Sequence, residues 1–219
     1  MDPKRPNQHL GNWLQGLQQQ ALAAFHRRLL VLSGSAAWCR STALEALNAL
    51  PNTQPLWVGR SVAQNIPGLH NTQVSGLLGS ETDLLIYDAH SGFDANALGI
   101  LSGTLRGGGI LILMTPPLNG WSKFADPEHA RIAVAGVAPE AVSGRFLGRL
   151  ARLLRTDPTI CLLQQTGPLP VVPETRSDAP QQVSPDPVCR TSDQWSAVKA
   201  VLHLVSGHRH RPLVLVSDR

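Results

Sequence analysis

The chain has 219 residues, 42% hydrophobic and 16% charged, enough for one sizeable globular domain or for one domain and part of a second. No stretch approaches the roughly 18 apolar residues of a membrane span, and the polar start MDPKRPNQHLGNW lacks the apolar core of a signal peptide. The three cysteines are far apart and argue against a disulfide framework or a metal site, so we expect a reducing, cytoplasmic compartment.

The formal net charge is +4, and only three of the 19 basic residues are lysines. The positive charge is therefore mostly arginine, whose planar fork binds two oxygens of a phosphate at once. A coding bias towards arginine explains the same composition. Clustering of the arginines on one surface would distinguish the two explanations.

Alternating apolar segments predict an α/β fold. Helices are expected over 8–26, 37–50, 71–79, 93–105 and 141–155, and strands over 29–34, 55–59, 82–89, 110–115 and 159–165. Residues 118–140 have no clean period and are expected to form a long loop. Apolar strands that alternate with helices indicate a three-layer, Rossmann-like, mostly parallel sheet with helices on both faces.

The composition changes after residue 166. We expect a Rossmann-like domain over 1–166 and a linker over 167–187, GPLPVVPETRSDAPQQVSPDP, which is rich in proline, serine and glutamine. The remainder, 188–219, predicts a helix capped by Thr191 or Ser192 and a strand over 212–217. One helix and one strand cannot bury a core, so we expect them to begin a second α/β domain that continues in a longer protein.

The first strand ends in the turn SGSAAW, which contains Ser33 and Gly34. A phosphate-binding loop at this place needs several glycines and usually a lysine. This turn has one glycine and no lysine, so an ordinary strand-to-helix turn is the favoured interpretation.

A second group of polar residues, YDAHSGFD, surrounds the end of the strand over 82–89. Ligands of open α/β sheets bind at the carboxyl ends of strands, and an Asp–His pair can act as an acid–base couple. The candidate strand-end pocket is Ser33, Gly34, Asp88 and His90. The alternative, which we favour, is that Asp88 and Asp94 cap a turn and a helix. A receiver domain would need an acidic pair after the first strand and a lysine after the fifth, and the chain has neither.

The segment AVSGRFLGRLARLLR predicts a strongly amphipathic helix without an acidic residue. At about 100° per residue, Arg145, Arg149 and Arg152 share one side and Arg155 lies at its edge. The other side carries Phe146, Leu147, Leu150, Leu153 and Leu154. The four arginines are candidate phosphate contacts of a bound RNA. A solvated face and a helix at a membrane surface are the alternatives.

Three segments carry a resemblance to a known family: LLVLSGSAAWC, DAHSGFDANALGILSGTLRGGGILILMTPP and RFLGRLARLL. Together they resemble the N-terminal domain of the bacterial tRNA(Met) cytidine acetyltransferases, over about residues 10–165 and again at the final helix and strand. The resemblance implies that a helicase-like ATPase domain, an acetyltransferase domain and a tRNA-binding tail follow in the full protein. It implies that 188–219 opens that ATPase domain just before its nucleotide-binding loop.

Members of that family acetylate N4 of the wobble cytidine of elongator tRNA(Met), with acetyl-CoA and with ATP or GTP and Mg²⁺. This chain has no Walker lysine, Walker aspartate or acetyl-CoA-binding segment, so the resemblance assigns it no catalytic residue and no cofactor. Three hypotheses remain: a non-catalytic module that packs on the ATPase domain and contacts tRNA, a scaffold without RNA contact, and a small-ligand-binding or receiver-like domain that uses the strand ends near Asp88.

Overall fold

The structure, a computed structural model, describes residues 5–51, 53–60, 66, 68–174, 189 and 191–206. The chain divides into two compact units, Met1–Arg176 and Ser177–Arg219. The predicted strand over 212–217 lies outside the described residues.

A six-stranded sheet forms the centre of the first unit, and every pairing between its described strands is parallel. The strand order is β3-β2-β4-β5-β1-β6. The strands are β1 (Arg28–Ser33), β2 (Pro55–Val58), β3 (Gly68–Leu69), β4 (Thr82–Asp88), β5 (Leu105–Thr115) and β6 (Cys161–Gln164). The predicted α/β Rossmann-like fold is confirmed, and all the strands end at one edge of the sheet.

The described residues of the first unit form five α-helices: α1 (Arg5–Ala24), α2 (Ala36–Ala49), α3 (Ala95–Thr104), α4 (His129–Ile132) and α5 (Arg145–Thr156). Short 3₁₀ helices cover Asn71–Leu77, Ala89–Ser91, Trp121–Lys123 and Pro139–Ala141. Among the residues that the structure describes, no helix is both long enough and apolar enough to cross a membrane.

The two faces of the sheet bury alternate residues of each central strand. In β4, Leu84 and Ile86 belong to the core shared with α1 and α2, whereas Leu85 and Tyr87 belong to the core shared with α3 and α5. Full burial of such a side chain contributes about 1.5–3 kcal/mol each. A strand covered on both faces explains the continuous apolar runs that predicted the central strands.

Some boundaries differ from the predictions. β5 begins at Leu105, so it includes the three glycines that were expected to end the preceding helix, and its pairing with β4 shifts register between Thr82 and Leu84. The predicted helix over 71–79 is a 3₁₀ helix, and the predicted helix over 141–155 begins at Arg145. The expected loop over 118–140 contains α4 and two 3₁₀ turns. β3, with two residues, was not predicted because so short a segment has no period.

The start of the expected linker lies along the first unit. The indole Nε1 of Trp13 donates to the carbonyl of Pro170 at 2.8 Å, and Leu169 and Val172 pack against the core on the side of α1. These contacts place Leu169, Pro170 and Val172 against the first unit.

The second unit contains α6 (Ser192–Val205). Thr191 is its N-cap: the Thr191 hydroxyl accepts from the Gln194 backbone N–H, and the Gln194 side chain accepts from the Thr191 N–H. This capping box confirms the predicted start of the helix. Lys199 lies over the ring of Trp195, at 5.7 Å from its centroid.

Gly144 fixes where α5 lies on the first unit. It precedes α5 and packs against the 3₁₀ turn Trp121–Lys123, where a Cβ atom at Gly144 would lie 1.8 Å from the Ser122 carbonyl oxygen. Only a residue without a side chain allows this approach. The contact seats the first turn of α5 beside the buried Trp121.

Gly144→Ala should lower the free energy of unfolding by about 1–3 kcal/mol, because backbone atoms must move to admit the methyl group. Gly99→Ala is the matched control. Gly99 is exposed inside α3, no atom lies within 4 Å of the added Cβ, and alanine should stabilise the chain by about 0.5–1 kcal/mol. Urea unfolding followed by circular dichroism measures both changes. Wild-type stability of Gly144→Ala would contradict the close packing of α5.

Candidate nucleic-acid interface and strand-end cleft

Helix α5 presents the four predicted arginines to solvent. Leu147, Ala151 and Leu154 are buried in the core beneath the helix, which fixes its rotation about its own axis. The side chains on the outside form what we call the arginine face: Arg145, Arg149, Arg152 and Arg155 are all exposed. The predicted clustering of arginine on one surface is present.

The arginine face lacks acidic partners. Within the part of the chain that the structure describes, none of its four arginines forms an ion pair with Asp or Glu. Arg155 donates to the side-chain oxygen of Asn119, a neutral group. Three arginines elsewhere in the unit do pair with acids: Arg40, Arg106 and Arg131. The positive charge of α5 is therefore not neutralised by its described neighbours.

Two apolar residues of α5 do not lie where the helical pattern placed them. Phe146 is 56% exposed and Leu153 is 52% exposed, although both were expected on the buried side. The buried side of α5 is narrower than predicted, because only Leu147, Ala151 and Leu154 of this helix are buried against the core. The exposed rings and methyl groups border the arginine face, and Phe146 lies 5.9 Å from Phe93 between ring centroids.

Asp88 is buried at the end of β4, and its carboxylate is fully engaged. Arg40 of α2 donates to Oδ2 through Nε at 3.0 Å and Nη2 at 2.7 Å, and the Ser91 hydroxyl donates to the same oxygen at 2.9 Å. The His90 backbone N–H donates to Oδ1 at 3.0 Å. Asp88 thus caps the turn Ala89–Ser91, and Asp94 likewise caps α3, as the favoured interpretation predicted.

His90 does not form an acid–base couple with Asp88. Only its backbone N–H contacts that carboxylate, while its ring meets Phe124 edge to face at 6.1 Å between centroids. Burial lowers the pKa of the His90 imidazole, and the Arg40 charge acts in the same direction, whereas the Asp88 charge and the Thr115 carbonyl oppose them. The ring is therefore held in its neutral form at neutral pH.

In the turn after β1, the backbone N–H groups of Gly34 and Ser35 form hydrogen bonds within the protein. The Gly34 N–H donates to the Thr115 carbonyl at 3.1 Å, and the Ser35 N–H donates to the side-chain oxygen of Gln165 at 2.9 Å. The Ser33 hydroxyl accepts from the Leu118 N–H at 3.1 Å. Because these amides and this hydroxyl already have protein partners, they are not directed at a phosphate.

The structure does not bring the four strand-end candidates together: three line two separate hollows, and Asp88 lines neither. Ser33 and Gly34 line a small hollow of about 270 Å³ beside Gln164 and Gln165. His90 lines a larger cleft of about 580 Å³, with Asp88 buried nearby behind Arg40. The residues lining the larger hollow, here called the strand-end cleft, are Ala36, Arg40, Gly59, Arg60, Gly68, His70, Asn71, Gln73, His90, Ser91, Phe124 and Pro127.

The buried Cys39 thiol is not activated as a nucleophile. Burial raises the pKa of the Cys39 thiol to about 12, with the Asp88 charge as a second cause, so Cys39 is protonated at neutral pH. All three cysteines are free. No group of three or more His, Cys, Asp or Glu side chains in the described ranges could hold a metal ion.

Sequence reasoning missed Arg40 and Gln165, which decide how the two hollows are built. Arg40 lies 48 residues before its partner Asp88, and Gln165 lies 130 residues after Ser35. Neither pairing has a local signature. The one available signal for Arg40 was the acidic residue at the end of a buried strand, which requires a cation.

The sequence matches a protein family over residues 2–165, described as "tRNA(Met) cytidine acetyltransferase TmcA, N-terminal". The chain belongs to this family. The resemblance found in the sequence is therefore confirmed, and the fold and surfaces described above are those of a TmcA N-terminal region.

Three relatives, each called tRNA(Met) cytidine acetyltransferase TmcA, illustrate the similarity. The protein from Nitrosococcus halophilus is 44% identical over 91% of this chain and 27% of its own length. The protein from Haloferax volcanii is 36% identical over 67% of this chain and 20% of its length, and that from Pectobacterium atrosepticum is 33% identical over 89% and 28%. The chain thus spans about a quarter of the length of these relatives.

Arg40→Gln should destabilise the chain by about 3–5 kcal/mol, because it leaves the Asp88 carboxylate buried without a cation. Arg106→Gln is the matched control, since Arg106 pairs with Asp83 and Glu81 while 42% of its side chain is exposed. Loss of such an exposed pair should cost about 0–1 kcal/mol. Chemical unfolding of both variants measures the difference, and equal losses would show that the Arg40–Asp88 pair is no more important than a surface pair.

Proposed function

We propose that this chain is the non-catalytic N-terminal module of an RNA acetyltransferase that makes N4-acetylcytidine at the wobble position of elongator tRNA(Met). In this proposal the module packs against the ATPase domain of the full protein, in the cytoplasm, and its arginine face contacts the tRNA backbone. Membership of the TmcA family supports the tRNA context. The observation that supports the RNA contact is the row of exposed arginines without acidic partners on α5.

The spacing of the arginine face suits a polyanion. Arg145, Arg149 and Arg152 recur every three or four residues and so form a line along one side of the helix. Like charges at this spacing repel one another, and a bound phosphate backbone removes the repulsion while it releases counterions. Phe146 and Leu153 add an exposed apolar border, where ribose rings or an unstacked base could pack.

The chemistry of acetyl transfer belongs in this proposal to parts of the full protein that follow this chain. Acetyl-CoA, and ATP or GTP with Mg²⁺, would bind there. We assign no catalytic residue and no cofactor to the residues of this chain.

A second function is a scaffold that touches no RNA. It is favoured by large apolar side chains that remain exposed, namely Ile132, Val134, Val137, Phe146 and Leu153, of which Ile132 and Phe146 line one hollow. Exposed apolar side chains that cluster mark surfaces covered by a partner. In this alternative the partner is another domain of the same full protein.

Binding of labelled elongator tRNA(Met) to the chain across a salt series tests the RNA contact. Arg149→Gln and Arg152→Gln should each weaken binding and reduce the slope of log K against log[salt] by about 0.7–0.9. Arg149→Lys and Arg152→Lys keep the charge and should retain most of that slope. Arg106→Gln removes an arginine that is already paired with acids and should change the affinity little.

The scaffold alternative makes the opposite prediction. If the double variant Arg149→Gln/Arg152→Gln bound tRNA with the affinity and salt slope of the wild type, the arginine face would not be an RNA contact. The same conclusion would follow if the wild-type chain did not bind tRNA at all.

A further inference from the structure

We infer that the strand-end cleft is a binding site for a mononucleotide, with its phosphate at Arg40 and Arg60 and its base against Phe124. This inference does not rest on the proposed tRNA contact, because the cleft and the arginine face are formed by different elements.

The position of the cleft is that of a ligand site in an open parallel sheet. It lies beyond the carboxyl ends of β2 and β4, where Gly59 and Arg60 follow β2 and His90 and Ser91 follow β4. Ala36 and Arg40, in the first turns of α2, complete one wall. Sheets of this class bind their ligands outside the carboxyl ends of the strands. A volume of about 580 Å³ falls within the usual range of small-molecule sites.

The charge of the lining favours an anion. Among the described residues that line the cleft there are two arginines and two histidines, Arg40, Arg60, His70 and His90, and no Asp or Glu. Asp88 is close by but has no exposed side-chain surface, so it does not face the ligand space. Because burial keeps the His90 ring neutral and Asp88 offsets the charge of Arg40, the uncompensated permanent charge among the described lining residues is that of Arg60, while Arg40 offers its remaining guanidinium N–H groups.

Arg40 is held in place before any ligand arrives. Two of its guanidinium nitrogens bind Asp88, and 19% of its side chain remains exposed at the cleft. A guanidinium fixed in this way loses little conformational entropy when it binds a phosphate oxygen. The backbone of Arg60 is held as well, since its N–H donates to the Ser91 hydroxyl and its carbonyl accepts from the indole of Trp57.

Close packing of the backbone keeps the cleft open beside Asp88. Gly59 has a φ of +119°, and a Cβ atom there would lie 2.6 Å from the Cβ of Asp88. A side chain at this position is therefore excluded by both conformation and space, so the wall between the ends of β2 and β4 is bare backbone.

The rest of the lining suits the base of a nucleotide. Phe124 and Pro127 contribute apolar surface to the lining of the cleft. The Nε2 atom of His90 is buried without a hydrogen-bond partner among the described residues. Buried polar atoms of this kind are rare in folded proteins, and they commonly find a partner in a bound water or ligand. The aromatic ring of Phe124 suits the flat face of a heterocycle.

Calorimetric titration of the intact chain with AMP tests the inference, with adenosine and inorganic phosphate as the partial probes. AMP should bind, and adenosine should bind more weakly by about ten- to hundredfold, the loss expected when charge-assisted hydrogen bonds disappear. Arg60→Gln should weaken AMP binding by a similar factor. It should not unfold the chain, because the Arg60 side chain is exposed. Arg106→Gln, outside the cleft, is the control and should leave AMP binding unchanged.

Three results of the titrations would overturn the inference. These are no heat of binding at millimolar AMP, AMP binding that Arg60→Gln leaves unchanged, and equal affinities for AMP and adenosine. Binding of a short RNA without any binding of AMP would also overturn it, since the cleft would then be part of an RNA surface. Unfolding curves of Arg60→Gln and wild type, recorded beside the titrations, ensure that lost binding is not lost fold.

Discussion

The carboxyl edge of the sheet depends on one buried interaction, the ion pair between Asp88 and Arg40. A carboxylate without solvent exposure needs a cation and hydrogen-bond donors, and Arg40, Ser91 and the His90 backbone supply them. The pair joins the end of the central strand β4 to α2, which follows β1. It also sets the side chain of Arg40 at the wall of the strand-end cleft. Asp88, which looks catalytic in the sequence, therefore has a structural role. It positions the side chain of Arg40, which lines the cleft.

The arginines of the first unit divide by their surroundings. Arg40, Arg106 and Arg131 are paired with acids and contribute to the fold, whereas those of the arginine face have no acidic partner among the described residues. For deciding whether arginine serves phosphate binding, this distinction is more informative than the overall composition. A coding bias alone would not place unpaired arginines in a row along one helix. In our proposals the arginine face and the strand-end cleft bind different partners. The arginine face contacts an RNA backbone, and the strand-end cleft holds a single nucleotide.

Elements with a clear local pattern, either a continuous apolar run or a helical period, were predictable from the sequence. Features that depend on contacts between distant residues were not. The apolar runs of β1, β4 and β5 and the amphipathic α5 follow from side-chain burial, which the sequence displays directly. The start of β5 was placed late because three glycines usually end a helix, yet here they continue into the strand. The Asp88–Arg40 pair and the Gln165 side chain in the first turn join residues far apart in the chain, so no spacing indicated them. Phe146 was expected to be buried, but a helical pattern gives the direction of a side chain and not the width of the surface opposite it.

Ultraviolet cross-linking of the chain to elongator tRNA(Met) containing 4-thiouridine tests the central claim most directly, because mass spectrometry then identifies the attached peptides. Our account predicts cross-links to the segment Arg145–Thr156, with Phe146 and Leu153 at the RNA surface, and their loss when the four arginines of the arginine face are replaced by glutamine. Cross-links confined to other segments, or cross-links to α5 that persist in the glutamine variant, would contradict it.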